Sequence, residues 1–459
     1  MPRTPMALVV LTVACTPVPP STGPALTGQS EPAALRLERE LTALGHTRGP
    51  DGLWPGFDPV AVPLAVFDGN RTWLFRHPSP PEEFAAMSQA APTVQVMIGR
   101  HDAVAANSSA EIGGVATATV ILAPSSPGAS PPSHAALAVH EAFHVFQRAR
   151  HPAWAGNEAD LFVYSTDNAN ALALRRLESA ALRVALDATG AASACWAHHA
   201  LVTRGRRFGM LDSASIAYER GTELNEGLAS YVERKVRGDN AVILPADEYG
   251  PADVRVRAYA TGLALAVLLD RHAPGWVTEL ESSDRHSLDE LLSRAVATGQ
   301  TCSFPAAAVD SASQRAIADV DRQATLRASR LEAFRTRDGW RVIVESPSNA
   351  LWPQGFDPIN VERLTTGAVL HRRFLKVGND AGMLTMLDEA GADLDALTEG
   401  HGTHPLFNGI VRVEVAGLAE PLVEVVGDTV RVRSPGVSAE FRGATVNRSG
   451  RTVRVRMGP

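Results

Sequence analysis

The stretch HEAFH at residues 140–144 lies inside a longer run whose pattern predicts the central helix of the fold. This run covers residues 134–150, and apolar side chains recur in it at spacings of three and four, as on the buried face of an amphipathic helix. Ser133 is placed to cap the first turn, and His151, which precedes a proline, is restricted to non-helical backbone. The sequence therefore predicts one helix here, with HEAFH in its middle.

The two histidines of this stretch are spaced to bind one cation. His140 and His144 are four positions apart, so a helix places both imidazoles on one face, about 6 Å apart along its axis. Zinc accepts two imidazoles at this spacing. The carboxylate of Glu141 projects from a neighbouring position and is suited to accept a proton from a water molecule at the metal. The spacing thus supplies two ligands and a general base.

A third ligand is expected on a second predicted helical segment, from about residue 213 to 236, which carries the sequence ELNEGLASY at 223–231. Catalytic zinc commonly has three protein ligands and keeps one position for water, and a carboxylate suits the third place. Glu226 is the first candidate for this ligand. Glu223, one turn earlier, and Glu178, in the segment between the two helices, are the alternatives.

HEAFH together with NEGLASY at 225–231 resembles the gluzincin metallopeptidases, the group of thermolysin-like and aminopeptidase-like enzymes, over roughly residues 134–270. The resemblance implies a zincin-like catalytic domain that hydrolyses peptide bonds with zinc as its cofactor. It also implies a set of site residues: His140, His144 and Glu226 as zinc ligands, and Glu141 as the general base.

The interval between the two motifs departs from the gluzincin pattern. Glu226 lies 82 positions after His144, a much longer distance than in thermolysin-like or aminopeptidase-like sequences. A pair of inserted helices, at roughly 167–188 and 191–206, would account for the extra length. Glu219, close to the second motif, is interpreted as a surface acid rather than a ligand.

Negative charge that develops on the substrate oxygen needs a hydrogen-bond donor near the metal. Tyr259 is the first candidate. It opens the apolar segment 259–269 in a Tyr-x-x-Gly arrangement that resembles the wall helix of several peptidases. The alternative is a core tyrosine whose hydroxyl has a partner beneath the site. Tyr231 and Tyr218 are further candidates for the donor.

Residues 112–122 predict a strand with a glycine entry shortly before the central helix. The gluzincin resemblance implies that this strand is a sheet edge along which an extended substrate pairs. The Gly-x-Met-x-Asn pattern of the aminopeptidases is missing from it, and Glu111 is a poor substitute for the amine-binding glutamate. The sequence therefore argues against aminopeptidase activity and carries no signal that separates other exopeptidases from endopeptidases.

The N-terminus predicts export. Residues 1–15 combine Arg3, a short apolar core and small residues before Cys15, as in a secretory signal. The sequence TVAC that ends this segment resembles a bacterial lipoprotein cleavage site, which implies a lipid anchor on Cys15. The Pro/Ser/Thr-rich segment 16–32 would then act as a tether. We expect a protein that is secreted or anchored in the cell envelope.

The composition is that of a globular protein: 459 residues, 45% hydrophobic and 20% charged, with a formal net charge of −7. The negative charge and the lack of a basic run with interleaved aromatic residues argue against nucleic acid as a partner. Export would permit a disulfide between Cys195 and Cys302, and two free thiols are the alternative. The sequence gives no indication of the oligomeric state.

The predicted fold class is α+β: a mostly helical zincin-like catalytic domain with an upstream β-sheet, followed by a β-rich C-terminal domain. The expected divisions of the chain are the signal 1–15, the tether 16–32, a β-rich part 33–125, the helical metallopeptidase-like region 126–324, a linker helix 325–338 and a β-rich domain 339–459.

Two further patterns lie outside the motif region. The sequence LWPGFDP at 53–59 returns as LWPQGFDP at 351–358, which predicts related β modules with Trp and Phe as packing anchors. His401 and His404 lie close together in a glycine-rich segment without acids at ligand spacing. We interpret them as loop residues rather than as a second metal site.

The expected function is that of an exported zinc metallopeptidase acting on peptide or protein substrates. Two alternatives stay open. One is a non-catalytic envelope protein that binds a partner and has a structural or vestigial metal site. The other is a zinc hydrolase of a non-peptide amide, because the same water chemistry serves both reactions. Retention of both histidines, Glu141 and Glu226 favours the enzyme.

Overall fold

The computed structural model describes residues 31–48, 51–88, 91–122, 134–238, 243–245, 249–296, 301–357, 360–387, 394–402 and 404–458. The predicted signal, the lipid anchor at Cys15, most of the tether and Ser133 lie outside these residues. The described chain is α+β and divides into two compact units, the first within residues 31–161 and 165–320, the second within residues 162–164 and 321–458.

Helices make up most of the first unit, and the last of them continues past residue 320 into the second unit. Their bounds are α1 Ala33–Arg48, α2 His134–Arg150, α3 Glu158–Leu161, α4 Ala169–Asp187, α5 Gly190–Phe208, α6 Ser213–Thr222, α7 Leu228–Arg237, α8 Val254–His272, α9 Trp276–Glu281, α10 Leu288–Ala295 and α11 Ala306–Thr336. The central helix has the predicted bounds. The inserted helical pair is confirmed as α4 and α5. The linker helix predicted over 325–338 is longer, since alanine-rich sequence extends it back to its start at Ala306.

The second motif lies where the predicted helical segment 213–236 changes its hydrogen-bonding pattern. A π-helical turn, Glu223–Gly227, joins α6 to α7. Such turns hold one extra residue in a helix and are frequent at functional sites. Here the turn contains Glu226, the predicted third ligand.

A six-stranded sheet precedes the central helix. Its strands are β1 Leu64–Phe67, β2 Arg71–Phe75, β3 Ala85–Ser88, β4 Ala91–Ile98, β5 Ser108–Ile112 and β6 Val115–Ile121, in the order β3-β4-β2-β1-β6-β5. A strand is confirmed within the predicted range 112–122, as β6, but its expected position at the sheet edge is wrong. Gly113 and Gly114 have positive φ angles and turn the chain into a β5–β6 hairpin, so β6 is internal and β5 is the edge.

An aromatic cluster under α2 fixes the core of the first unit. Trp54 is 1% exposed and makes edge-to-face contacts with four rings, those of Phe143, Trp154, Tyr231 and Trp276. Such contacts add to the free energy that burial of the rings contributes. The first copy of the LWP repeat is therefore a packing anchor, as predicted.

The second copy of the repeat differs from the first. Trp352 is 47% exposed and lies in a β-strand, whereas Trp54 lies in a turn. The expectation that tryptophan is a packing anchor in both copies is wrong, whereas Phe356 of the second copy does pack against the core of the second unit.

The second unit is built from two sheets that share a core of valine, leucine and alanine side chains. One sheet has the order β18-β19-β7-β14-β13-β10-β9 and the other β15-β16-β17-β12-β11-β8. The strands are β7 Trp340–Glu345, β8 Trp352–Phe356, β9 Val361–Arg363, β10 Ala368–Arg372, β11 Phe374–Asn379, β12 Gly382–Leu387, β13 Asp395–Gly400, β14 Ile410–Leu418, β15 Leu422–Val426, β16 Thr429–Ser434, β17 Val437–Arg442, β18 Ala444–Ser449 and β19 Thr452–Met457. The β-rich character predicted for this part is confirmed.

The structure decides between the two alternatives for the cysteines. Cys195 and Cys302 form a disulfide, with their Cα atoms 5.8 Å apart. The bond ties α5 to the segment before α11.

Within the described residues, we find no helix with the length and apolar character to span a membrane.

Candidate metal centre

His140, His144 and Glu226 form a compact cluster in the first unit. The Nε2 atom of His144 lies 3.1 Å from Oε2 of Glu226, and that of His140 lies 3.7 Å from the same oxygen. One ligand atom from each residue lies within 4.8 Å of the others. Residues that are far apart in the sequence thus lie together in the fold.

The second nitrogen of each imidazole has its own acceptor. Nδ1 of His140 donates to Oε2 of Glu233 over 3.0 Å, and Nδ1 of His144 donates to Oε1 of Gln147 over 2.9 Å. This assignment orients each ring so that Nε2 points to Glu226. Metal-binding histidines are commonly held in this way by a carboxylate or a carbonyl, which fixes the tautomer and raises the basicity of the ligand nitrogen.

Gln147 also connects the two motifs directly. Its Nε2 donates to the backbone carbonyls of Leu224 and Asn225 in the π-helical turn, over 2.9 and 3.0 Å. The π-helical pattern leaves carbonyls of this turn available to an outside donor. Sequence reasoning missed Gln147 and Glu233. The signal for Gln147 was its position one turn after His144 on the same helix face.

A close contact between backbones holds the π-helical turn against α8. A Cβ atom on Gly227 would lie 2.5 Å from Cα of Gly262, and one on Gly262 would lie 2.6 Å from the carbonyl oxygen of Glu223. These glycines belong to the NEG and Tyr-x-x-Gly sequences. Their lack of a side chain allows the helices to approach closely enough for α8 to reach the metal centre.

Arg255, which lies one turn before Tyr259 on α8, connects this tyrosine to Glu226 of the cluster. Nη1 of Arg255 donates to the Tyr259 hydroxyl over 2.5 Å, and its Nη2 donates to Oε1 of Glu226 over 2.8 Å. Burial and the charge of Glu226 raise the pKa of Tyr259 above its ordinary value, so the hydroxyl keeps its proton at neutral pH. The other candidates are engaged elsewhere, because Tyr231 donates to Asp270 and Tyr218 donates to Glu158.

The titration properties of the cluster reflect strong coupling. Burial lowers the pKa of His140, but hydrogen bonds to Glu226 and Glu233 outweigh it and raise the value to about 10. Burial raises the pKa of Glu226, but hydrogen bonds to both histidines hold it far below its usual range. The Glu226 carboxylate is therefore ionised.

Glu141 lies beside the cluster on α2 and is 6% exposed. Burial raises the pKa of its carboxyl, against the opposing charges of the two histidines. A carboxylate with a raised pKa is a better proton acceptor near neutral pH.

The other acids that were weighed as ligands, Glu178 and Glu223, lie in a separate buried network with arginines. Arg204 donates to both oxygens of Glu223 over 2.6 and 2.8 Å, and it also binds Glu178.

Glu219, predicted as a surface acid, is 1% exposed, so that prediction is wrong. Arg207 holds it with two hydrogen bonds, of 2.5 and 2.8 Å. Its charge is compatible with burial because of this pairing.

The donor set fits zinc. Two imidazole nitrogens and one carboxylate oxygen are the ligands of one common class of catalytic zinc site, and both imidazoles here have the outer hydrogen bonds typical of such sites. His401 and His404 show no comparable arrangement in the described part of the chain. The ring of His404 instead accepts hydrogen bonds from the backbone of Leu406 and Phe407, as expected for a loop residue.

A cavity of about 280 Å³ lies next to the centre. Glu233 and Tyr259 form part of its wall, together with Arg234, Tyr249 and Leu263. Ligand pockets that bind whole small molecules are commonly larger. The cavity has the size for one portion of a substrate, in contact with two residues of the candidate site.

Comparisons with known proteins found no matching family model, no matching curated protein and no matching solved structure. The functional argument therefore depends on the chemistry of the residues that the fold brings together.

Proposed function

We propose that this chain is an exported zinc-dependent metallopeptidase of the gluzincin type. The observation that carries the proposal is the convergence of His140, His144 and Glu226, with both outer imidazole nitrogens engaged and Glu141 buried beside them. A purely structural role would explain the ligands, but it gives no reason for a buried carboxylate with a raised pKa next to them.

The mechanism assigns a separate task to each side chain. Bound zinc would supply Lewis acidity and lower the pKa of water towards neutrality. Glu141 accepts the proton of the attacking water and passes it to the leaving nitrogen. Tyr259, which keeps its proton, donates a hydrogen bond to the oxygen on which negative charge develops. An extended peptide would pair with β5, the edge strand of the upstream sheet.

The disulfide supports the export part of the proposal. A bond between Cys195 and Cys302 persists in an oxidising compartment and is rare in the cytosol. The expected outcome is that the protein fractionates with the cell envelope when expressed with its N-terminus, and that Cys15→Ser releases it into the soluble exported fraction. Cytosolic protein with free thiols would contradict export.

The decisive experiment measures zinc content and peptide cleavage on the same samples, using protein without residues 1–15. We expect about one zinc per chain. Glu226→Ala should lose the metal, whereas Glu141→Gln should keep it and lose activity by about 10²–10⁴-fold. Glu279→Gln removes a surface acid that pairs with Arg294 and should change neither quantity.

Two results would change the conclusion. Lack of zinc in the parent protein after reconstitution would contradict the metallopeptidase and favour a binding protein. One zinc per chain without cleavage of any peptide, but with hydrolysis in a panel of other amides, would favour the non-peptide hydrolase.

A further inference from the structure

The two carboxylate oxygens of Glu226 have different partners. Oε2 faces Nε2 of His144 at 3.1 Å and Nε2 of His140 at 3.7 Å. Oε1 accepts a hydrogen bond from Nη2 of Arg255 over 2.8 Å. Only one oxygen of this carboxylate is therefore directed towards the imidazole nitrogens, and the other is engaged by a cation from α8.

Arg255 is itself held in place on its other sides. Its Nε donates to Oε1 of Glu158 over 3.0 Å, and its Nη1 donates to the hydroxyl of Tyr259 over 2.5 Å. Glu158 in turn accepts a hydrogen bond from Tyr218, a residue that is 0% exposed. Because a guanidinium group is planar and its donors have fixed directions, three such contacts leave it little freedom to move away from Glu226.

We propose that Arg255 is a positioning residue that keeps Glu226 a one-oxygen ligand of the metal, so that coordination positions remain open for water and substrate. The inference rests on the proposed metal-dependent function and adds a residue that the motifs do not contain. A carboxylate binds a metal through one oxygen or through both. The charge-assisted hydrogen bond to Oε1 favours the first mode, since coordination by that oxygen would require it to give up the arginine.

Arg255 also positions Tyr259. The same guanidinium contacts the ligand Glu226 and the proposed donor Tyr259. Arg255 thereby sets the position of the tyrosine hydroxyl relative to the carboxylate. Loss of the arginine would remove one hydrogen bond from each group and leave the hydrogen bond between Tyr259 and Glu226 as their remaining contact.

The test replaces the metal with cobalt(II), whose visible absorption per ion is strong when it has four ligands and weaker when it has five or six. Arg255→Met removes every donor and keeps an unbranched stem, whereas Arg255→Lys keeps the charge but not the fork. We expect Arg255→Met to bind one cobalt per chain with a marked loss of visible absorption, and Arg255→Lys to fall between this variant and the parent. X-ray absorption of the zinc forms should show one additional oxygen ligand in Arg255→Met.

Arg237→Met is a matched control. Arg237 lies 2.8 Å from Glu233 and its side chain is 34% exposed, whereas Arg255 lies 2.8 Å from Glu226 and is 40% exposed. Both arginines neutralise an acid that touches His140. Only Arg255 contacts a proposed ligand oxygen, so the cobalt spectrum of Arg237→Met should equal that of the parent.

The possible outcomes separate the two proposals. An unchanged spectrum in fully loaded Arg255→Met would overturn the positioning role and leave the metallopeptidase proposal standing. Loss of all metal from folded Arg255→Met would also overturn it, because Arg255 would then be needed for Glu226 to bind at all. A parent protein that binds neither zinc nor cobalt would overturn both proposals. If Arg255→Met fails to fold, the spectrum of Arg255→Lys decides.

Discussion

Two clusters of buried glutamates lie within two turns of each other and differ in what faces them. At the candidate metal centre, Glu226 faces two imidazoles and one half-exposed arginine. In the neighbouring network, Glu219 and Glu223 face Arg207 and Arg204, whose side chains are almost fully buried. Imidazole can lose its proton and bind a metal, whereas guanidinium remains charged and only hydrogen-bonds. Whether a buried glutamate is a candidate ligand or a structural acid therefore depends on the side chain that faces it and not on the glutamate itself.

The largest effect is expected from breaking the buried network. Arg207 binds both Glu219 and Glu178 at 2.9 Å or less, and Arg207→Met removes this buried partner from each of them. Removing one member of a buried ion pair typically costs about 3–5 kcal/mol of unfolding free energy. We expect a loss of this size by urea denaturation. Arg294→Met, which breaks an exposed pair with Glu279, should cost less than about 1 kcal/mol. Equal losses would contradict the distinction.

The same network should make the protein sensitive to acid. Arginine charges outweigh burial and lower the pKa of Glu219 to about 2, and they hold that of Glu178 well below its usual range. Both acids bind fewer protons when folded, so their contribution to stability is present above about pH 4.5 and falls as the pH drops towards 2. Glu223 acts in the opposite direction, since burial raises its pKa. We expect the net unfolding free energy to fall across this window.

Glu219→Gln provides the check on this pH dependence. The variant should be less stable than the parent at pH 7 but should lose less of its remaining stability between pH 5 and pH 2, because one of the responsible carboxyls is gone. Urea denaturation at several pH values measures both slopes. Parallel curves for the two proteins would contradict the assignment to Glu219.

A smaller effect is expected from the contact that joins the two clusters. Gly262→Ala places a methyl group 2.6 Å from the carbonyl of Glu223 and 2.8 Å from Cα of Gly227. Such overpacking commonly costs about 1–3 kcal/mol, and it should also weaken zinc binding, since it displaces the turn that carries Glu226. Gly205→Ala is the control, because a Cβ there has open space and should stabilise α5 by about 0.5–1 kcal/mol. A neutral Gly262→Ala would contradict the close packing.

The smallest effect on folding, and one confined to the metal centre, is expected from Glu233→Gln. The change keeps an oxygen that accepts the hydrogen bond from Nδ1 of His140, but it removes the negative charge of the Glu233 carboxylate. Substitutions of such outer partners typically weaken metal affinity by about 10–100-fold, and the retained acceptor favours the lower end. Competition with a zinc chelator measures the affinity, and thermal unfolding of the metal-free protein should be unchanged within about 0.5 kcal/mol. An unchanged affinity would show that the carboxylate does not support the imidazole.

Local patterns predicted much of the fold and most of the proposed ligands. The bounds of α2, the helical pair α4 and α5 and the β-rich second unit follow from periodicity and turn residues. The edge position was assigned to the wrong strand of the β5–β6 hairpin, because the two glycines that were interpreted as a strand entry form the turn between the two strands. Glu219 was misjudged, because a carboxylate gives no local sign of the distant arginine that pairs with it.

The residues that support the centre were missed for a related reason. The neighbours of Glu233 and Arg255 in the sequence do not distinguish them from ordinary polar residues of a helix, and the position of Gln147 one turn after His144 was a weak signal. Each acquires its contact only when α2, the π-helical turn and α8 pack together.

The sequence by itself determined the spacing of the two histidines and of the adjacent Glu141, because residues four apart on a helix share a face whatever surrounds them. Only the tertiary structure decided which of three glutamates joins them. Glu178, Glu223 and Glu226 are alike in type and all lie on helical segments, and the choice among them was made by arginines on α5 and α8. Burial forces each carboxylate to find a partner, and which partner it finds depends on helix packing rather than on its neighbours in the chain.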